Sequence, residues 1–130
     1  MNEIDKTPQP TGALILQVLA NITDTNPLGD IYAGWLMSQM DLACGVTARK
    51  VAQGRVATVA AGNMNFLVPV KVGALVSFYT EVVNIGRSSI EVFVEVWIDS
   101  PMLHGEQKKV TEGVFAFVAI DERGRTRKIT

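Results

Sequence analysis

The spacing of hydrophobic positions changes at Gly54. The segment before it, from about Ile31 to Ala52, is predicted to be one long helix, because turn residues precede it and Gly54 supplies a C-terminal stop. Asp30 is the expected N-cap. After Gly54 the chain is rich in Val, Ile, Phe, Tyr and Thr, and residues 89–99, SIEVFVEVWID, alternate with period two, as in a half-buried strand. The pattern therefore predicts a helix followed by strands.

Four strand-like runs follow the helix and one precedes it. The run before the helix is residues 13–20, and those after it are RVATVAAGNMNFLVPV, ALVSFYTEVVNI, SIEVFVEVWID and KKVTEGVFAFVAID. Strands connected by short turns pair antiparallel, and a helix of about 20 residues, about 30 Å long, can cover one face of such a sheet. The predicted fold class is α+β: a hotdog fold, with one long central helix wrapped by a curved antiparallel β-sheet. A plain α+β sandwich of another topology is the alternative.

Composition and charge limit the classes of function. The chain has 130 residues, 48% hydrophobic and 19% charged, which is typical of one globular domain. We expect a flexible arm at 1–12 and a single domain at 13–130. With 12 basic and 13 acidic residues, no overall positive field exists to attract nucleic acid. The lone cysteine favours a cytoplasmic location, and the apolar segment near the N-terminus is too short to cross a membrane.

A carboxylate lies within the apolar part of the predicted helix. When Asp41 is placed at zero on a helical wheel, the residues within about 60° are small or apolar apart from one serine. They are Gly34, Met37, Ser38, Cys44, Gly45, Ala48 and Ala52. We therefore expect Asp41 on the face buried against the sheet, where desolvation raises the pKa of a carboxyl group and suits it to general base catalysis. The alternative is a structural acid that caps the backbone or pairs with a buried arginine.

The loop before the helix offers hydrogen-bond donors. Asn26-Pro27-Leu28-Gly29-Asp30 leads into the helix N-terminus, whose free N–H groups and positive dipole attract a developing oxyanion. Ala33 and Gly34 present such N–H groups with little side chain in the way. The alternative is that these small residues only allow close packing of the helix on the sheet.

Other catalytic groups have little support in the sequence. Cys44 has no neighbouring histidine, because the only histidine is His104, in a loop after Pro101. The same separation counts against a triad of Ser38 with His104, and no GxSxG motif is present. One cysteine and one histidine do not make a zinc site. No metal is therefore expected, and His104 is interpreted as a surface loop residue.

The stretch DTNPLGDIYAGWLMSQMD, Asp24 to Asp41, resembles the signature of the YciA-type acyl-CoA thioesterases, a branch of the hotdog-fold acyl-CoA hydrolases. The similarity continues through GRVATVAAGNMNFLVPVKVGALV, GRSSIEVFVEVW and TEGVFAFVAID, and it covers nearly the whole chain from about Gly12 to Ile129. The resemblance implies hydrolysis of acyl-CoA to a free acid and CoA, with no cofactor beyond the CoA of the substrate.

The resemblance also implies site residues. Asp41 matches the family's catalytic carboxylate, which acts as general base or nucleophile, and Asn26 matches an asparagine of the same site. Gly34 lies at the helix start, where the thioester carbonyl is held. Protomers of the family pair with the site across their interface, often as a trimer of dimers, so Asn26 would face Asp41 of the other chain. The family usually has two glycines at the helix start, and Ala33-Gly34 departs from this pattern. The added methyl group of Ala33 implies less space where the thioester carbonyl binds or in the acyl pocket.

The CoA moiety is expected at a turn between two strands. Gly86-Arg87-Ser88-Ser89 matches the loop that meets the nucleotide end of CoA in similar proteins, and a guanidinium fork, two hydroxyls and turn N–H groups suit phosphate. The alternative is a simple hairpin turn. Asn65, Phe66 and Pro69 are expected along the pantetheine path. The basic residues near the C-terminus are interpreted as a solvated end, and a position near a phosphate is the alternative; they are Arg123, Arg125, Arg127 and Lys128.

Two other functions fit the same fold. A non-catalytic acyl-CoA-binding hotdog protein is the main alternative, and the presence of both Asp41 and Asn26 counts against it. A hydratase would need a histidine beside the acid, which this helix lacks. An acyl-CoA thioesterase is therefore the predicted function.

Overall fold

The computed structural model describes residues 9–99 and 105–129, so His104 and residues 1–8 of the predicted arm lie outside the described part. The first strand and a short 3-10 turn, Ile22–Asp24, come before the single long helix, and four strands follow it. The elements are β1 (Ala13–Leu19), α1 (Ala33–Ala52), β2 (Val56–Gly62), β3 (Leu75–Ile85), β4 (Ser89–Asp99) and β5 (Gln107–Ala119).

All strand pairs are antiparallel, and the strand order in the sheet is β1-β3-β4-β5-β2. The helix α1 contacts all five strands. One core forms between them, to which Met40 contributes from α1, Phe78 from β3 and Phe117 from β5. The period-two pattern of β4 is confirmed, since its inward-facing valines are fully buried. The predicted α+β hotdog architecture is therefore confirmed.

The helix ends where the pattern predicts, but its start differs. Helix α1 begins at Ala33, and the N-cap position is Tyr32, which makes no side-chain capping bond. The prediction that Asp30 caps the helix is wrong, because its carboxylate instead forms an ion pair with Lys71. At the other end Gln53, with φ 54°, ends the helix in the left-handed conformation one residue before the expected glycine.

A C-terminal arginine completes this end of the helix. The Nη2 of Arg127 donates to the carbonyl of Ala52 over 2.8 Å, and its Nε donates to the carbonyl of Ile120 over 3.2 Å. A Cβ at Gly54 would lie 2.7 Å from this guanidinium, so the glycine makes room for it. A cation near the last carbonyls of a helix is favourable. The interpretation of Arg127 as part of a solvated end is therefore wrong.

The strand predicted over residues 55–70 is shorter than its hydrophobic pattern suggests. Strand β2 stops at Gly62, and Asn63 follows with φ 58°. The chain beyond it crosses to the helix entrance without forming a regular strand. The N–H of Leu67 donates to the carbonyl of Val110 over 2.7 Å, and the N–H of Ile31 donates to the carbonyl of Val70 over 2.8 Å.

The described end of the predicted arm is tied to an acid on β4. The N–H of Thr11 donates to Oε1 of Glu95 over 2.7 Å, and Nζ of Lys109 lies 2.8 Å from Oε2. Burial opposes ionisation of Glu95, but the bonds from Lys109 and Thr11 outweigh it and lower the pKa of this carboxyl. Within the described ranges, no helix is both long and apolar enough to cross a membrane.

Candidate active site

Asp41 lies at the margin of the buried face of α1. The residues of α1 that are buried are Leu36, Met40, Ala43, Cys44, Ala48 and Ala52. Asp41 is half-buried, and Gly34 and Ser38 on its side of the helix are exposed. The prediction that Asp41 points into the helix–sheet core is therefore wrong. Cys44, Ala48 and Ala52 on one side of it pack in the core, whereas the carboxylate faces a cleft at the edge of the core.

The carboxylate of Asp41 is held by a hydroxyl from the neighbouring strand. The Oγ1 of Thr58 on β2 donates to Oδ1 of Asp41 over 2.6 Å. The pairing of β2 with β5 shifts register between Thr58 and Ala60, so one residue is inserted directly after the threonine. Bulges of this kind occur next to active sites, where they aim a side chain. No pattern in the sequence indicates Thr58, because only the fold brings the two side chains together.

An open cleft of about 420 Å³ lies between α1 and β2 beside Asp41. Its walls are mostly apolar, and two arginines lie on its rim. The lining residues are Asp41, Leu42, Gly45, Val46, Arg49, Arg55, Val56, Thr58, Phe117 and Ile120. A half-buried carboxylate in an apolar cleft is the arrangement that suits a base or nucleophile acting on a bound substrate.

The thiol of Cys44 does not offer a competing nucleophile. Its side chain is fully buried. Burial, and to a lesser extent the charge of Asp41, raises the pKa of the Cys44 thiol to about 12. A thiol with such a pKa stays protonated near neutral pH and is a poor nucleophile. Among the described residues, no group of three or more His, Cys, Asp or Glu side chains is arranged to hold a metal ion.

The side-chain amide of Asn26 is oriented by its own loop. Its Oδ1 accepts the N–H of Leu28 over 2.9 Å and the N–H of Asp30 over 3.0 Å. Because backbone N–H groups can only donate, the oxygen of the amide must face the loop. The NH₂ group of Asn26 is thus left to donate to a group outside the loop.

The start of α1 presents free backbone donors close to Asn26. The N–H groups of Trp35 and Leu36 bond to the carbonyl of Tyr32, whereas those of Ala33 and Gly34 have no acceptor within the described residues. A Cβ added to Gly34 would meet nothing within 4 Å. Close packing within one chain therefore does not explain this glycine, and the free N–H groups are suited to an oxyanion.

The predicted site residues outside the Gly86–Ser89 hairpin fall into two separate groups in one chain. The helix start is about 12 Å along the helix axis from Asp41, at 1.5 Å per residue. Asn26 and Gly34 lie at that entrance, on which the segment 63–70 also ends. Asn65, Phe66 and Pro69 of this segment are exposed, and none of them lines the cleft beside Asp41. The predicted site residues of one chain therefore do not form a single cluster.

The predicted phosphate loop is the hairpin between β3 and β4. The N–H of Gly86 donates to the carbonyl of Ser89 over 2.8 Å, and a Cβ at Gly86 would lie 2.5 Å from the Ser89 hydroxyl oxygen. Arg87 is exposed and, within the described residues, has no carboxylate partner. Ser88 and Ser89 are half-buried beside it. The hairpin therefore offers a guanidinium and two hydroxyls to solvent or to a ligand.

Comparisons with known proteins identify the superfamily. The sequence model of the family described as "Thioesterase superfamily" matches residues 28–104, which is more than half of the chain. This match and the hotdog fold place the protein in that superfamily.

Individual relatives identify the branch. The chain is 47% identical to a Haemophilus influenzae protein named "Uncharacterized acyl-CoA thioester hydrolase", over 93% of this chain and 80% of the relative. It is 43% identical to the acyl-CoA thioester hydrolase YciA of Escherichia coli, over 92% of each chain. A solved hexameric broad-specificity acyl-coenzyme A thioesterase superimposes with a TM-score of 0.88 at 46% identity, covering 95% of this chain and 84% of the other. The chain belongs to the YciA-type acyl-CoA thioester hydrolases.

Proposed function

We propose that the protein hydrolyses the thioester of acyl-CoA, with Asp41 as the group that acts on the thioester carbon. The observation that carries this proposal is the half-buried carboxylate of Asp41, bonded to Thr58 at the end of an apolar cleft. Because the threonine occupies Oδ1, the other carboxylate oxygen is left to face a water molecule or the substrate. The relatives named as acyl-CoA thioester hydrolases support the same activity.

Two routes are consistent with this geometry. In the first, Asp41 takes a proton from a water molecule as the water oxygen bonds to the carbonyl carbon, and the C–S bond then breaks. In the second, Asp41 itself attacks, and water hydrolyses the resulting anhydride. Both routes release a carboxylic acid and the CoA thiolate, which takes up a proton. Both use only protein groups and water.

The donors that stabilise the oxyanion come from a second copy of the chain. Within one protomer the N–H of Gly34 is about 10 Å from Asp41 along the helix axis, and Asn26 lies in the loop before the helix start. A two-fold arrangement can bring the helix entrance of one protomer to the Asp41 cleft of the other. The NH₂ of Asn26 and the free N–H groups at the helix start would then surround the thioester carbonyl.

Strand β2 provides an edge for this pairing. It lies at the end of the sheet, and its sequence VATVAAG contains no charged residue or proline that would protect an open edge. Val59 on this strand is 59% exposed, and Leu42 and Val46 on the cleft rim are also exposed. A second protomer would bury these apolar side chains. The solved relatives described as hexameric support self-assembly, and a trimer of such dimers is the assembly we propose.

We place the phosphates of CoA at the Gly86–Ser89 hairpin, where the guanidinium of Arg87 and the two serine hydroxyls are available. Asn65, Phe66 and Pro69 are assigned to the pantetheine path only in the paired assembly, since they lie outside the cleft of one chain. The buried cysteine is consistent with a reducing compartment, and we propose the cytoplasm.

Thiol release from a panel of acyl-CoA substrates tests the function. The panel includes short, long and aromatic acyl groups at equal concentration. Release above the uncatalysed rate for at least one acyl group is the expected result. If no substrate releases thiol while CoA still binds, the protein is instead a non-catalytic acyl-CoA binder.

Mixing two inactive variants tests whether the site is shared. Asp41→Asn and Asn26→Ala protomers are co-folded at equal amounts after each has been shown to be inactive. If the site spans two chains, half of all dimers contain one protomer of each variant, and each of these has one intact site out of two, so about a quarter of the wild-type activity returns. If both residues act in the same chain, no mixed dimer has an intact site and no activity returns.

A further inference from the structure

The cleft beside Asp41 continues as a trough with two parallel walls. On the helix wall Asp41, Gly45 and Arg49 follow one another at intervals of four residues, so Arg49 is about 12 Å from Asp41 along the axis. On the strand wall Thr58 and Val56 face the trough, and Arg55 lies at its end, about 10 Å from Thr58 at 3.3 Å per residue. The trough therefore has a carboxylate at one end and two guanidinium groups at the other.

These two arginines are not used by an acid of the described residues. Arg49 and Arg55 are exposed and form no ion pair within the described ranges. Among the described residues, the side chain of Arg55 makes one hydrogen bond, from Nη1 to the carbonyl of Glu122 over 3.3 Å. The nearby carboxylate of Asp121 instead accepts N–H groups of its own turn.

Arg49 also lies in the last turn of α1, where a cation interacts favourably with the helix dipole. Lys50 shares that turn and is also exposed, but it projects to the side of the helix opposite Asp41. The dipole alone explains a positive charge in this turn. It does not explain why a second arginine meets the first across the end of the trough.

The same end of the sheet carries the Arg87 hairpin. The N–H of Ile120 donates to the carbonyl of Arg55 over 3.0 Å, and the N–H of Ala119 donates to the carbonyl of Ser88 over 2.8 Å. Arg55 and the hairpin are therefore separated by one strand, β5, which corresponds to about 10 Å. Arg49, Arg55 and the Arg87 hairpin thus lie at the end of the trough away from Asp41. The guanidinium of Arg127 is also at this end, but it is already bonded to the carbonyls of Ala52 and Ile120.

We propose that Arg49 and Arg55 bind phosphate groups of CoA, extending the Arg87 hairpin into one basic site, with the pantetheine arm lying in the trough. This inference rests on the proposed thioesterase function. The phosphate site fixes the direction of the substrate: with the thioester at Asp41, the CoA part extends toward the C-terminal end of α1. The acyl chain must extend the other way, toward the helix entrance and the paired protomer. Guanidinium groups bind phosphate by bidentate, charge-assisted hydrogen bonds.

Steady-state hydrolysis by Arg49→Gln and Arg55→Gln tests the proposal, with Lys50→Gln as the matched control for loss of one charge in the same helical turn. The substrates are butyryl-CoA, butyryl-pantetheine and glutaryl-CoA, which respectively carry the phosphates, lack them, and add a terminal carboxylate. Each arginine variant is expected to lower kcat/KM for butyryl-CoA and glutaryl-CoA about tenfold, mainly through KM. Butyryl-pantetheine is expected to react equally with wild type and variants, and Lys50→Gln is expected to leave all three rates unchanged.

Three results would overturn the proposal. If the arginine variants hydrolyse butyryl-CoA at the wild-type rate, the arginines do not contact CoA. If the arginine variants lose as much kcat/KM with butyryl-pantetheine as with butyryl-CoA, the substitutions act on the chemical step or on the fold and not on phosphate binding. A loss confined to glutaryl-CoA would assign the arginines to the acyl chain.

The proposed function can fail separately from this subsite. If wild type does not hydrolyse butyryl-CoA, the thioesterase assignment fails, and calorimetric titration with CoA alone then tests the subsite. About tenfold weaker binding by both arginine variants, with Lys50→Gln unchanged, would still support the phosphate site. Unchanged binding would refute it.

Discussion

Replacing Thr58 by valine removes the hydroxyl that holds Asp41 and keeps the shape of the side chain. The lost bond is short, 2.6 Å from Oγ1 to Oδ1, and its acceptor is a carboxylate. Hydrogen bonds to charged groups contribute about 1.5–3 kcal/mol. We use the lower end of this energy range because Thr58 is exposed in the single chain, where water can replace the hydroxyl. A loss of about 1.5 kcal/mol in the transition state corresponds to about a tenfold lower kcat.

The assay compares Thr58→Val with Thr58→Ser in steady-state thioester hydrolysis. Valine should lower kcat about tenfold with little change in KM, because the hydroxyl orients the reacting carboxylate and does not bind the substrate. Serine, which keeps the hydroxyl, should stay within about threefold of wild type. If valine matches wild type, the Thr58–Asp41 bond has no role in the reaction. If serine is as slow as valine, the methyl group and its packing account for the effect.

Three further predictions concern groups around this site and the fold. Because burial raises its pKa to about 12, the Cys44 thiol should resist an aromatic disulfide reagent at pH 8 in the folded protein and react fully in urea; rapid labelling of the folded protein would contradict this. The pKa of Glu95 is lowered in the folded state. Its ionised form therefore stabilises the fold fully at pH values above the ordinary carboxyl pKa of about 4.3. This stabilisation is lost as the pH falls through the lowered pKa of the folded state. Glu95→Gln should therefore lower the free energy of unfolding, measured with urea, by about 2 kcal/mol at pH 7 and by nearly nothing at pH 2. Equal losses at both pH values would show that the ionised form of Glu95 does not provide this stabilisation. Arg127→Gln removes the bond to the last helical carbonyl and should lower the free energy of unfolding by about 1–2 kcal/mol. Arg125 is exposed, so the control Arg125→Gln should change this free energy by less than about 0.5 kcal/mol. Equal effects of the two substitutions would rule out the capping role of Arg127.

The parts of the fold that follow from local periodicity could be predicted from the sequence. The valines of β4 alternate strictly with larger residues, and the helix ends at Ala52 as the following turn residues indicate. The start of α1 could not be predicted in the same way, because Asp30 has two possible partners. Its carboxylate pairs with Lys71, 41 positions further along the chain, and such a long-range ion pair leaves no local signal.

The helical wheel placed Asp41 within the buried face of α1 and not at its margin, and this error has a physical reason. It counted Gly34 and Gly45 as apolar, but small residues indicate a buried face only weakly, whereas Met40 and Leu36 determine which side of α1 packs on the sheet. Thr58 could not be found from the sequence at all. Its contact with Asp41 depends on the position of β2 beside the helix and on the bulge after it. The resemblance to the YciA-type enzymes predicted roles for Asp41 and Asn26, but the separation of these two residues within one chain is apparent only in three dimensions.

Thiol release from butyryl-CoA by wild type and Asp41→Asn, measured side by side, tests the account most directly. Asparagine keeps the size of the side chain and can still accept the bond from Thr58, but it can neither take a proton from water nor form an anhydride. We expect the rate to fall at least about a thousandfold while the melting temperature and CoA binding stay close to wild type. A variant that releases thiol at a rate near wild type would show that Asp41 does not carry the chemistry.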